Sequence, residues 1–131
     1  MMSAKEKKAG EAIRIEATSW YMADQSSPED RRFVFSYPIN IHNDGSQRAK
    51  LLTRHWLITD ADGKVQEVHG DGVIGKQPVI QPGERHTYSS GTVIETPVGT
   101  MEGRYGMASD SGDHFDIPIP IFRLAMPGIL N

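Results

Sequence analysis

A chain of 131 residues with a formal net charge of −3 fits one domain, long enough to bury a core without covalent staples. That charge offers no field to gather nucleic acid or an anionic membrane, and the absence of cysteine excludes disulfides, thiolate metal sites and a cysteine nucleophile. No apolar run approaches the roughly 20 residues of a membrane span, and none follows the N-terminal lysines as a secretory signal requires, so the expected location is the cytoplasm.

Residues 1–10 read as a disordered tail whose Lys5, Lys7 and Lys8 are solvated, and residues 11–131 as a single folded domain. Ile13, Ile15 and Ala17 alternate with polar neighbours, the two-residue period of a strand. Trp20 to Arg32 is a polar loop, longer than an ordinary connection, of the kind that serves function or motion. Phe33, Phe35, Tyr37, Ile39 and Ile41 mark a central strand, with Pro38 predicting a bulge or an unpaired edge inside it. Asn43-Asp44-Gly45 reverses the chain into a well-covered strand over 50–59, and Asp60 to Gly63 turns it into a returning strand over 64–69. Beyond the turn at Gln81 to Glu84, two strands are expected over 84–90 and 92–95. Further strands follow over 100–108 and around Phe115, Ile117, Ile119 and Ile121, and an irregular strand over 124–130. About eight short strands and no credible helix predict an all-β, antiparallel sandwich of the immunoglobulin or fibronectin type III kind.

Between residues 69 and 79 the glycines Gly70, Gly72 and Gly75 satisfy the spacing of a dinucleotide-binding loop. Pro78 and Pro82 follow at once and preclude the helix such a loop must open. The segment therefore reads as a loop between strands. Its structural reading is a crossover between two sheets, with glycine chosen for positive φ and close backbone approach. Its functional reading is an anion nest of loop amides for pyrophosphate or a nucleotide, helped by Lys76 and Arg54 and opposed by Asp71.

A set of motifs then accumulates along the chain: Gln25-Ser26-x-Pro28, Phe33-x-Phe35-x-Tyr37, Arg54-His55-Trp56-x-Ile58-Thr59-Asp60, Gly70-x-Gly72-Val73-x-Gly75-x-Gln77-Pro78, Pro82-Gly83-Glu84, Tyr88-x-Ser90-Gly91, Met101-x-Gly103-x-Tyr105 and Ile119-Pro120-x-Phe122. Together they resemble the ApaG family, from about Ile13 to the C-terminus. The resemblance implies an immunoglobulin- or fibronectin-like sandwich and an association with cobalt and magnesium efflux or resistance in bacteria. It also implies kinship with interaction modules of larger proteins, and it assigns no catalytic residue and no role to Lys76.

Cation handling invites a search for ligands. On strands, ligand pairs stand at i and i+2, as His69 with Asp71 and His114 with Asp116 do. Each pair is a two-ligand fragment whose third partner the sequence does not identify, and solvated side chains are the plainer reading. Imidazole suits cobalt, whereas magnesium prefers carboxylate and water. Trp56 is expected in the core, where burying an indole of roughly 150–250 Å² is worth on the order of 4–6 kcal/mol. Tyr105 is expected to tie a strand to a loop through its hydroxyl. His86 and Ser90 share a strand face but stand too far apart for a nucleophilic pair, and no nucleophile elbow is present. The expectation is a non-enzymatic binding or regulatory module without a cofactor, acting through a protein partner. Pairing of two copies through open sheet edges is a further expectation.

Overall fold

The computed structural model describes residues 12–129. The tail expected over 1–10, the domain start at 11 and the last two residues lie outside the described residues. Nine strands follow in order: β1 (Ile13–Ala17), β2 (Trp20–Tyr21), β3 (Phe33–Asn43), β4 (Ala49–Asp60), β5 (Val65–Asp71), β6 (Val79–Ile80), β7 (Arg85–Ile94), β8 (Val98–Ser109) and β9 (His114–Ala125). The two strands expected over 84–95 are one, since β7 runs through Gly91. The two-residue strands β2 and β6 escape the period-two signal because they are too short to alternate.

In one sheet β3 is central, flanked by β1 and β2 on one side and by β7 on the other; in the second the order is β5-β4-β8-β9, with β6 also on β4. All pairings are antiparallel. The fold is the expected β-sandwich. Alternation explains its core: Phe33, Phe35, Tyr37, Ile39 and Ile41 of β3 are buried and meet Leu51, Trp56 and Ile58 of β4 with Met101, Tyr105 and Met107 of β8. Trp56 is 2% exposed, its ring edge-on to Tyr37 at 5.4 Å between centroids. Aromatic edge contacts of this kind add to the area burial itself.

Pro38 does not bulge its own strand. It stays in unbroken register with Ser89 of β7. The irregularity falls on the partner, because β1 ends at Ala17 opposite Ile39 and β2 begins at Trp20 opposite Ser36. Thr18 and Ser19 break the ladder where Pro38 has no amide to give. The long loop is more structured than expected, holding β2 and two 3-10 turns, Ala23–Gln25 and Pro28–Asp30. Ser26 Oγ organises it by donating to the Met22 carbonyl and accepting from the Val34 amide. At the C-terminus Leu124 and Ala125 complete β9, and a turn replaces the irregular strand expected beyond them.

The sandwich has unequal edges. β9 carries Pro118 and Pro120, which offer no amide to an incoming strand. β7 is overhung by the loop over 72–76 and by Gln66, whose side-chain amide donates to the Val93 carbonyl. β5 lies at the end of its sheet, exposed along most of its length.

Candidate functional site

The glycine segment does not cross between sheets. Thr53 pairs with Asp71 of β5, while Lys50 and Ala49 pair with Val79 and Ile80 of β6 on the same side of β4. So β5 and β6 are one edge strand, and residues 72–78 are an excursion from it. The excursion is a tight hairpin in which Val73 and Lys76 exchange both backbone bonds, at 2.8 and 3.0 Å. At its tip Ile74 and Gly75 take φ of 49° and 70°, the left-handed pair of a type I′ turn. A β-branched residue in that region is strained, and Ile74 is 59% exposed, so no burial offsets it. Val73 points the other way and is buried in the core, closing the flank of the sandwich over Tyr88 and Ser90 of β7.

The glycines are there for backbone reasons. Gly72 has φ +64°, and a Cβ on it would fall 2.1 Å from the Lys76 carbonyl oxygen. A Cβ on Gly70 would fall 2.6 Å from the Arg54 guanidinium, which lies across it. Arg54 Nη1 donates to the carbonyls of Asp71 and Gly72, at 3.0 and 2.9 Å. The amides of Gly72, Val73 and Lys76 are committed to the carbonyls of Leu52, Lys76 and Val73. Arg54 therefore binds loop carbonyls, and the anion-nest reading of Gly70, Gly72, Gly75, Lys76 and Arg54 draws no support from this geometry. Lys76 acts on His86, whose pKa lies below its ordinary 6.5 through burial first and the lysine charge second.

Beneath the loop a cavity of ≈180 Å³ is walled by Arg54, Trp56, Tyr37, Tyr88 and Ser90. Tyr105 does not tie a strand to a loop. Its hydroxyl meets that of Tyr88, joining β8 of one sheet to β7 of the other. Burial pushes the pKa of both phenols up, so the pair stays neutral.

A second constellation lies on the outer face of the β5-β4-β8-β9 sheet. The bulge in β4 between Leu51 and Thr53 sets the alternation so that Trp56 faces in and His55 faces out. His55 stands directly opposite His69 of β5, and the rings stack at 4.1 Å and 9°. Glu67, two residues before His69 on the same face, places Oε1 2.5 Å from His69 Nε2 and 3.4 Å from His55 Nε2. That bond from His69 holds the Glu67 carboxyl below its ordinary 4.5. Among the described residues this trio is the one group whose metal-ligating atoms all converge within 4.8 Å. It borders a shallow trough of ≈470 Å³ that also runs past Asp71, Arg104 and Asp116. Gly106 leaves the trough its floor, since a Cβ there would fall 2.3 Å from Thr53 Oγ1.

Of the two ligand pairs read from the sequence, His69 and Asp71 do share this trough, but the side chains that converge on His69 are His55 and Glu67. His114 and Asp116 lie on β9, and of these only Asp116 reaches the trough. The sequence hides His55, which has no ligand two residues away on β4 and meets His69 and Glu67 only when β4 and β5 pair, whereas Glu67 stands two residues before His69 and is legible by that same spacing.

A family model described as the ApaG domain matches residues 23–109. Protein ApaG of Shewanella sp. (strain ANA-3) is 54% identical over 121 residues, 92% of this chain and 96% of that protein. An X-ray structure of a structural-genomics target matches with a TM-score of 0.89 at 54% identity, covering 94% of this chain and 93% of its own. The crystal structure of an ApaA protein from Bordetella pertussis matches with a TM-score of 0.87 at 44% identity, over 89% of this chain and 95% of its own. A matched family model spanning most of the chain, close relatives of nearly equal length and a shared sandwich establish that this chain belongs to the ApaG family.

Proposed function

We propose that the protein is a non-enzymatic binding module that takes a protein partner along β5 by strand addition. The observation that carries this reading is the asymmetry of the edges. β9 is guarded by Pro118 and Pro120, whereas β5 contains no proline and leaves Val65 and Val68 exposed at 55% and 36%. Main-chain pairing supplies affinity in this mode, and alternate side chains supply selectivity. Val79 of β6 and the strained Ile74 at the loop tip are also exposed along this edge strand. Glu67, His69 and Asp71 share the face of Val65, opposite to that of Val68, and favour a partner strand with cationic side chains. The resemblance to a family tied to cobalt and magnesium resistance makes divalent-cation homeostasis the setting, and the module acts on it indirectly, through its partner.

The test is a photo-crosslinking residue placed at position 66, compared with the same probe at position 121 on β9. A discrete protein adduct at 66, absent at 121 and lost in a Val68→Lys background that melts normally, is the expected result. No adduct at either position, or an adduct indifferent to Val68→Lys, sinks the reading.

A further inference from the structure

We propose that His55, Glu67 and His69 form a binding site for a single transition-metal ion of the zinc type on the outer face of the β4–β5 pair. The proposal rests on cross-strand geometry; it shares Glu67 and His69 with the partner-facing side of β5, and its test on the isolated chain involves no partner.

Three features carry it. The first is donor chemistry: two imidazoles and one carboxylate approach from one side, the facial arrangement that leaves further positions open to water. The second is His55. Its side chain is only 14% exposed, and both ring nitrogens are buried without a hydrogen-bond partner. The Glu67 oxygen 3.4 Å away lies within ion-pair range of Nε2 but makes no hydrogen bond to it. A buried polar nitrogen with no partner is costly, and a metal ion is a partner of the right kind for a neutral imidazole. The third is the difference in freedom between the ligands. His55 is held in the sheet, while His69 and Glu67 are 63% and 54% exposed and able to adjust.

Adjustment is needed. Stacked, parallel rings aim their lone pairs side by side, whereas a metal must lie in the plane of each ring at roughly 2.0–2.1 Å from nitrogen. Rotation of the exposed His69 breaks the stack and leaves His55 in place. The charge surroundings are mixed. Arg104 of β8 stands opposite His55, and its Nε lies 3.9 Å from Asp116 Oδ2. Asp71 and Asp116 add negative charge to the trough. The imidazole content disfavours magnesium and calcium, which take oxygen ligands. With no cysteine in the chain, the site belongs to the imidazole–carboxylate class.

The experiment is calorimetric titration of the full chain with zinc chloride, with magnesium chloride as the parallel arm. The expected result is saturable uptake of one zinc per chain, no heat from magnesium, and a zinc-dependent rise in melting temperature. Affinity falls at least about tenfold in both His69→Gln and Glu67→Gln, because even the outer partners of metal ligands cost that much. His114→Gln leaves it unchanged. The imidazole proton signals of His55 and His69 move on zinc addition, as a purely structural cluster would not. Zinc uptake that is absent, that survives both exposed-residue variants, or that disappears in His114→Gln overturns the proposal. The two exposed variants carry the test, since His55→Gln also disturbs the covered part of the sheet.

Discussion

The loop over 72–76 and the trough around His55 sit at neighbouring stretches of the same edge strand, and they invert one another. The loop has a recognisable spacing of glycines, yet its Gly72, Val73 and Lys76 amides and the Arg54 guanidinium are bound to carbonyls of the chain itself. The trough has no loop motif of that kind, yet it holds a buried imidazole whose nitrogens lack partners. A sequence motif can mark a place where the backbone needs freedom, while chemistry gathers where strand register happens to align side chains. Polar groups already satisfied have little left to give a ligand; unsatisfied ones do.

The sharpest way to break this contrast is Gly72→Ala. With φ +64° and the Lys76 carbonyl oxygen 2.1 Å from the new methyl, the substitution is expected to cost about 2–3 kcal/mol in urea unfolding. A loss below about 0.5 kcal/mol would mean that the loop relaxes freely and that its glycine serves something other than the backbone. Ile74→Asn works in the opposite direction. Asparagine tolerates the left-handed region and precedes glycine in the preferred hairpin pair, so stability should rise by about 1 kcal/mol. Failure to gain would point to a contact that holds the exposed isoleucine in place.

A smaller effect tests the loop through its lysine. The His86 pKa is depressed in the folded state, so that state binds fewer protons than the unfolded chain once the pH drops below about 6.5. Stability therefore falls as pH is lowered from neutrality through 6.5 toward the folded value, and levels off below it. His86→Gln should flatten that limb of a melting-temperature profile, and Lys76→Gln should soften it. The smallest expected change belongs to the trough. His69→Gln, at an exposed position, should leave unfolding within about 0.5 kcal/mol of wild type while removing the response to zinc. A large loss of stability would move His69 from ligand to structural staple.

The architecture was legible because burial on one face writes a period of two into β3, β4, β8 and β9. What was not legible depends on register. Pro38 announced an irregularity, but only the pairing reveals that the partner between β1 and β2 absorbs it. In the glycine segment the prolines exclude a helix, as the structure bears out, but nothing local says that β5 and β6 lie on the same strand, so the sequence reads as a crossover where the chain makes an excursion. His69 was singled out through its i+2 neighbour Asp71, whereas the side chains that converge on it are Glu67 and the cross-strand His55. Asn43 shows the same blindness. Read as a turn residue, it is also a buried staple, its side-chain amide donating to the Gln47 and Ile80 carbonyls.

The two tryptophans occupy opposite environments: Trp56 is 2% exposed in the interior and Trp20 67% exposed on β2. The chain thus contains two indole fluorophores that should differ in spectrum, a blue-shifted emitter shielded from acrylamide and a red-shifted one open to it. Loss of sheet packing should shift the first alone. A partner that settles on the β2 side should protect the second without disturbing the first, so a quenching curve on the unlabelled protein separates unfolding from surface occupation.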